Sequence, residues 1–166
     1  MAKMEIKGID DYMSAIEKLE NSDDIAGHIV YEGAKVMADA LKTAIGKIPE
    51  AEEDSRGNPV RNKQGKIKGV TKQQRKDLEN GFGITKVEKT PDGINVKVGF
   101  GGYGSTKTRR YPKGLPNEML ARAVTSGTSF RIKSPVLRTT QTRMKKPTLL
   151  AMEKEADRII REKMEK

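Results

Sequence analysis

The apolar positions between residues 22 and 48 recur every three or four residues, which is the spacing of one face of a helix. Nine side chains follow it: Ile25, Ile29, Val30, Val36, Met37, Ala40, Leu41, Ala44 and Ile48. Ser22 is a typical helix-capping residue, and Asp23 and Asp24 suit the positive end of a helix dipole. The pattern predicts one long helix that begins after Ser22 and is ended by Gly46 and Pro49.

Residues 82–100 alternate as a β-hairpin does. The runs FGITKVEK and INVKVGF flank a Thr-Pro-Asp-Gly sequence, in which Pro91, Asp92 and Gly93 are turn residues. In the second run, four apolar side chains alternate with polar or small residues: Ile94, Val96, Val98 and Phe100. The hairpin should therefore have one packed face and one open face.

The remaining helical patterns are shorter. Residues 4–9 indicate a strand or lead-in, and residues 10–20 a helix with Met13, Ile16 and Leu19 on one face. Pro116 should begin a helix that stops at Gly127, and Pro147 suits the first position of a final helix, while residues 136–146 are ambiguous. Together these elements predict a single α+β domain over residues 1–166, in which a small antiparallel sheet packs against a long N-terminal, a short middle and a C-terminal helix.

Residues 50–80 are predicted to form a mobile basic loop in which almost nothing is buried. The acidic run EAEED precedes a series of cations without an acid among them: Arg56, Arg61, Lys63, Lys66, Lys68, Lys72, Arg75 and Lys76. Gly57, Gly65 and Gly69 interleave them. Six cations are candidate contacts to a partner: Arg61, Lys63, Lys66, Lys68, Arg75 and Lys76.

The net charge of +10 is unevenly distributed along the chain. Residues 1–54 hold 6 Lys/Arg and 13 Asp/Glu, a net −7, whereas residues 55–146 hold 22 and 5, a net +17. Two interpretations fit equally: the basic middle binds nucleic acid through residues 55–76 and 107–146, or it packs head-to-tail on the acidic end of a neighbouring copy. Leu, Ile, Val and Phe make up only 33 of 166 residues, so the core should be thin and completed by assembly.

No pattern in the chain indicates catalytic, cofactor or metal chemistry. GFGGYG at Gly99–Gly104 matches the G-x-G-x-x-G spacing, but STKTRRYPKG follows it instead of a helix, so no cofactor is expected. His28 has no second ligand in sight and suits the polar flank of its helix. The absence of Cys excludes disulfides and thiolate sites, and no apolar run reaches the 18 residues of a membrane span.

The stretch SGTSFRIKSPVLR, residues 126–138, combines a Gly-Thr turn with a Pro-x-Leu-Arg sequence. It resembles the Gly-Thr … Pro-Phe-Leu-Arg-Pro signature of the neck or tail-completion proteins of lambda-like siphophages, also described as head–tail joining proteins. The matching residues are Gly127, Thr128, Pro135, Leu137 and Arg138. Ser126, Val136 and Thr139 depart from the residues usual in that family.

Other segments resemble the same family in the same order. IKGIDDYMSAIEKL is similar to its opening Gly-Leu-Asp-Glu segment, VYEGAKVMADALKTAI to its long Ala-rich helix, and KDLENGFGITKVEKTPDGINVKVGFGG to its Leu-x-x-Ser-Ile region and hairpin. The resemblance covers nearly the whole chain except the basic loop. The residue types themselves predict the structure of 126–138: Gly127 ends one helix, residues 128–134 run extended, and Pro135 starts the next segment, which Val136 and Leu137 anchor in the core.

The resemblance implies a structural virion protein of the head–tail junction that is not an enzyme. It would form a homo-oligomeric ring, a hexamer or a multiple of one, which completes the tail and joins it to the head. The implied partners are head-closure or connector proteins and tail-tube or tail-terminator proteins, with non-specific proximity to DNA and none to a membrane. The expected location is the virion tail or neck, and the host cytoplasm during assembly.

Overall fold

The computed structural model describes residues 22–91 and 93–164, so the strand predicted at 4–9 and the helix at 10–20 lie outside the described residues. Four helices and four short strands occur in the described ranges: α1 Ser22–Gly46, α2 Lys72–Gly81, β1 Phe82–Ile84, β2 Glu88–Thr90, β3 Gly93–Asn95, β4 Val98–Phe100, α3 Asn117–Ser126 and α4 Val136–Met164. The predicted α+β fold is confirmed, as is the end of the long helix at Gly46.

The two long helices, α1 and α4, run antiparallel along each other. Gly33 of α1 faces Met152 of α4, where an added Cβ would lie 2.4 Å from the methionine Cγ, so glycine permits this close approach. One helical turn or so away, His28 Nδ1 lies 3.0 Å from Glu155 Oε1. The exposed His28 is thus on a polar flank of α1, as the sequence predicts.

The predicted hairpin forms, in two paired sections. Phe82 pairs with Phe100 and Ile84 with Val98 near the core, while Glu88 pairs with Asn95 near the turn. Between the two sections, the three residues 85–87 of the first strand lie opposite only two residues, 96–97, of the second strand. The extra residue is a bulge, which increases the local twist.

The helix α4 begins eleven residues before the position predicted for it, at Val136 rather than Pro147. Pro147 lies inside the helix, where it cannot donate the backbone hydrogen bond that Arg143 O would accept. The packing of α4 along α1 explains why the helix continues through this position despite the missing bond. The ambiguous residues 136–146 are therefore helical throughout.

The core is small and draws on segments far apart in the sequence. Its fully buried large side chains are Ile45, Ile48, Val70, Leu78 and Val124. The prediction that almost nothing in residues 50–80 is buried is wrong, because Ile67 is buried as well as Val70 and Leu78. Part of that range is also the helix α2, which begins with a capping box between Thr71 and Gln74.

Candidate interaction surface

Residues 49–70 fold into a compact unit, here called the basic lobe, between α1 and α2. Both ends of the lobe pair with each other, since Ala51 N donates to Val70 O at 2.7 Å and Val70 N donates to Pro49 O at 3.0 Å. Glu53 Oε1 accepts a hydrogen bond of 2.7 Å from Lys72 N in the first turn of α2. The lobe is thus fixed at its base to the two helices that flank it.

Two turns of the same geometry form the tips of the basic lobe. In the first, Asp54 Oδ1 accepts hydrogen bonds from the backbone N–H groups of Arg56 and Asn58, both at 2.8 Å. In the second, Asn62 Oδ1 accepts from Gln64 N and Lys66 N, both at 2.9 Å. Gly57 and Gly65 take φ values of 74° and 73° at equivalent positions, a conformation that favours glycine.

These hydrogen bonds also favour the ionised form of the Asp54 carboxyl group in the first turn. The backbone N–H of Asn58, its side-chain amide and the backbone N–H of Arg56 all stabilise the ionised Asp54 carboxylate and lower its pKa. The carboxylate oxygens are therefore held by the turn, and no ion pair joins Asp54 to a lobe cation in the described residues.

Five cations of the basic lobe form no ion pair with any residue that the structure describes: Arg56, Arg61, Lys63, Lys66 and Lys68. All are exposed except Lys66, which is half-buried. Arg61 Nη1 donates to Gly65 O at 2.8 Å and so braces the second turn. The lobe also carries four exposed acidic side chains, Glu50, Glu52, Glu53 and Asp54, and two of them, Glu50 and Glu52, line the same cleft as Arg61, Lys66 and Lys68.

Arg75 has an internal role that the sequence does not reveal. Its guanidinium donates to Gly46 O at 2.9 Å and to Ile48 O at 2.7 Å, the carbonyls at the C-terminal end of α1. The charge therefore caps a helix end that carries negative partial charge. Lys76, the next residue, is exposed on α2 and keeps its place among the candidate contacts.

The segment from Gly127 to Pro135, called the connector, joins α3 to α4. Gly127 takes φ 75° and ψ 167°, a backbone conformation available almost only to glycine. Its N–H donates to Ala123 O and ends α3, as predicted. The prediction that residues 128–134 run extended holds only in part, because Thr128 and Arg131 exchange backbone hydrogen bonds across a tight turn.

The connector and the basic lobe meet along their backbones. Ile67 N donates to Phe130 O at 2.8 Å, and Ile132 N donates to Ile67 O at 2.9 Å. Arg131, between them, is only 4% exposed and donates to Gly69 O and to Gln74 Oε1. Burial lowers the pKa of this guanidinium. The two regions singled out by separate sequence arguments thus form one continuous surface.

Exposed apolar side chains lie on the same surface. Phe130 is 46% exposed and Ile132 is 37% exposed, on either side of the buried Arg131. These two side chains give the surface apolar groups that a protein partner would cover on binding.

The remaining residues of the Gly-Thr and Pro-x-Leu-Arg sequences have structural positions. Leu137 is 7% exposed and belongs to the core, which confirms its predicted burial. Thr128 is half-buried, and its hydroxyl has no hydrogen-bond partner in the described residues. Pro135 and Arg138 are exposed at the start of α4.

The glycine-rich segment after β4 packs against α2. A Cβ on Gly104 would lie 2.9 Å from Asp77 Oδ2, and Asp77 accepts hydrogen bonds from the backbone and hydroxyl of Ser105. No helix begins between Gly104 and Asn117, so the segment lacks the helix N-terminus that a dinucleotide site requires. Among the described residues, no three acidic or histidine side chains are grouped as metal ligands, and no described helix is long and apolar enough to cross a membrane.

Comparisons of the chain with protein-family models, with curated proteins and with solved structures found no match. The resemblance to phage neck proteins therefore rests on the residues quoted above.

Proposed function

We propose that the chain is a structural protein of a phage head–tail junction, which assembles as a ring that completes the tail and joins it to the head. The ordered resemblance over nearly the whole chain supports this function. The structural observation that supports it best is the surface made by the basic lobe and the connector, where unpaired cations lie beside the exposed Phe130 and Ile132.

A ring requires two different surfaces on each copy that fit one another. Outside the lobe, α1 offers four acidic side chains: Asp23, Asp24, Glu32 and Asp39. Asp23 and Asp24 are exposed in the first turn of α1. A head-to-tail contact between this acidic region and the basic lobe of the next copy accounts for the charge separation along the chain.

Charge reversal tests the assembly. We expect the triple variant Lys63→Glu, Lys66→Glu, Lys68→Glu to melt like the parent at dilute concentrations where neither assembles, because none of the three forms an ion pair in the described residues, yet to lose ring formation. The matched control is Lys107→Glu, Arg109→Glu, Lys113→Glu, which changes the net charge equally on an exposed segment outside the lobe. Sedimentation and electron microscopy measure ring formation, and complementation of a phage that lacks the gene measures joining.

Two results would contradict the proposal. One is equal loss of assembly in both triple variants, which would mean that net charge and not the lobe matters. The other is a particle in which subunit-resolution imaging places the protein away from the junction or in a single copy.

Nucleic-acid binding is the second candidate function, and the five unpaired lobe cations favour it as well. No aromatic side chain lies among residues 55–76, so base stacking by this segment is not available, and binding would depend on phosphate contacts. Fluorescence anisotropy with duplex DNA distinguishes the functions. Tight, sequence-selective binding near 0.15 M salt that falls steeply with added salt would favour this candidate over ring assembly.

A further inference from the structure

A cleft of about 390 Å³ opens between the C-terminal end of α1 and the first two turns of α4. Alanine, proline and valine side chains form part of its wall. Five polar side chains complete it: Thr43, Lys47, Thr139, Thr140 and Arg143. Neither the ring nor the resemblance assigns any role to this α1–α4 cleft.

Thr140 is the feature that points to a ligand. Its side chain is 7% exposed and lines the cleft, yet its hydroxyl has no hydrogen-bond partner within the described residues. Two other threonines bond to their own helix, Thr43 Oγ1 to Asp39 O at 3.0 Å and Thr142 Oγ1 to Arg138 O at 3.1 Å, whereas the buried Thr148 hydroxyl of α4 is also without a partner in the described residues. The side chain of Thr140 is thus held by its surroundings while the hydroxyl itself is open to the cleft, where it can donate to an acceptor that enters.

The charges around the cleft select for an anion. Lys47 and Arg143 are exposed at its rim, neither forms an ion pair in the described residues, and no acidic side chain lines the cleft. Val136, the first residue of α4, also lines it and brings the positive end of a 29-residue helix to the site. The negative end of α1 is nearby, but the Arg75 guanidinium already binds its terminal carbonyls.

We propose that the α1–α4 cleft binds a phosphate group, carried by a small phosphorylated molecule or by a nucleic-acid backbone. The hydroxyls of Thr139 and Thr140 donate to its oxygens, and Arg143 and Lys47 neutralise its charge. Thr43 adds no donor, because its hydroxyl already donates to α1. The cleft is larger than one phosphate group, which leaves room for the part of the ligand that carries it.

Inorganic phosphate is the probe, titrated into the full-length isotope-labelled protein at constant ionic strength with chloride as the balancing anion. We expect the amide signals of Thr139, Thr140 and Arg143 to shift together with one dissociation constant. Thr140→Val keeps the shape and the β-branch but removes the hydroxyl, and should weaken binding by about tenfold. Its free-protein melting temperature should not fall, because no hydrogen bond within the described protein is lost.

The matched controls concern charge. Arg143→Gln and Lys47→Gln should each weaken phosphate binding, whereas Lys145→Gln, an exposed cation on the same helix outside the cleft, should not. Equal weakening by Lys145→Gln would show that diffuse positive charge attracts the anion and would overturn the proposal. So would unchanged binding in Thr140→Val, or no chemical-shift change with phosphate.

A second arm identifies the source of the phosphate. A labelled oligo(dT) strand is bound in the presence and absence of inorganic phosphate. Competition by phosphate, with loss of strand binding in Thr140→Val, supports the site and assigns it to a nucleic-acid backbone. Strand binding that is unchanged by inorganic phosphate and by Thr140→Val, together with the expected chemical-shift changes on phosphate titration, supports the site and assigns it to a small phosphorylated ligand.

Discussion

At the scale of single residues, the connector depends on a backbone conformation rather than on a side chain. With φ 75° and ψ 167°, Gly127 occupies a region that other residues enter only under strain. An added Cβ would also lie 3.2 Å from both the backbone N and the Cβ of Lys133. These two effects act in the same direction, and both follow from the turn that brings the chain back toward the basic lobe.

Gly127→Ala should therefore lower the free energy of unfolding by about 1–3 kcal/mol. Thermal and urea unfolding measure the change. Gly46→Ala is the control, because an added Cβ there has open space within 4 Å and the glycine is in the last turn of α1. The strained-turn explanation fails if the two alanine variants unfold alike.

Two leucines of α4 differ in burial and so provide a matched pair. Leu137 is 7% exposed in the core, whereas Leu149 is 58% exposed. Leu137→Ala should destabilise the protein by about 2–5 kcal/mol, because it removes buried methyl groups and leaves a cavity, while Leu149→Ala should change stability little. If Leu137→Ala melts with the parent, the connector is not anchored in the core through this residue.

At the scale of elements, α1 is held at its C-terminal end by a side chain from α2. The Arg75 guanidinium binds two carbonyls that have no partner within α1, and thereby also fixes the angle between the two helices. The two bonds span 27 and 29 residues of sequence and so add a second link across the base of the basic lobe, beside its backbone pairing.

Arg75→Gln should cost about 1.5–3 kcal/mol per charged hydrogen bond lost. Chemical denaturation measures it, and hydrogen exchange at residues 46–49 should accelerate. Lys76→Gln is the control, since Lys76 is exposed and forms no ion pair in the described residues. An Arg75→Gln variant as stable as Lys76→Gln would exclude the capping role.

The same elements explain how far the sequence could predict the fold. Periodicity identified α1, α3 and the hairpin, because each has a local pattern and a local stop such as Gly46 or Gly127. It missed α2, whose only local signal was the Thr71–Gln74 capping box within a strongly charged stretch. Periodicity also placed the start of α4 at Pro147. The helix continues through this proline because α4 packs on α1, and the residues next to Pro147 give no signal of that packing.

The candidate surface, like the fold, was predictable from the sequence only in part. Composition identified the cations of the basic lobe, and residue identity identified Gly127 and Leu137. The contact of Ile67 with the connector brings together residues distant in sequence, and so does the burial of Arg131. The cleft that Thr140 lines is likewise formed by two helices far apart in the chain. A single sequence contains no local signal for such contacts.

At the scale of the whole molecule, the fold has little apolar material to bury. Its buried core draws on few large side chains, and eight large hydrophobic residues remain exposed in the described ranges: Val60, Val87, Tyr103, Met119, Phe130, Ile132, Leu149 and Leu150. A domain of this size has a total stability of only about 5–15 kcal/mol, so additional burial in an assembly is a large fraction of it.

If copies assemble as proposed, the melting temperature should rise with protein concentration, because association stabilises the folded state by mass action. Scanning calorimetry over a concentration range of about 100-fold measures this, since such a range corresponds to about 2.7 kcal/mol of linkage. The charge-reversed lobe variant should melt at one temperature throughout. A parent protein whose melting temperature is also independent of concentration would argue against self-association in solution.

The twin turns of the basic lobe have a consequence for how such a chain can change. Each tip is closed by its own carboxylate or amide acceptor and its own glycine, while the buried anchors Ile67 and Val70 lie beyond the second turn. A tip can therefore be lengthened or shortened, or its side-chain charges changed, without disturbing the anchors. If the lobe binds a partner as proposed, changes at its tips can alter that partner without loss of the fold, and a peptide tag can be inserted there while the rest of the fold is kept.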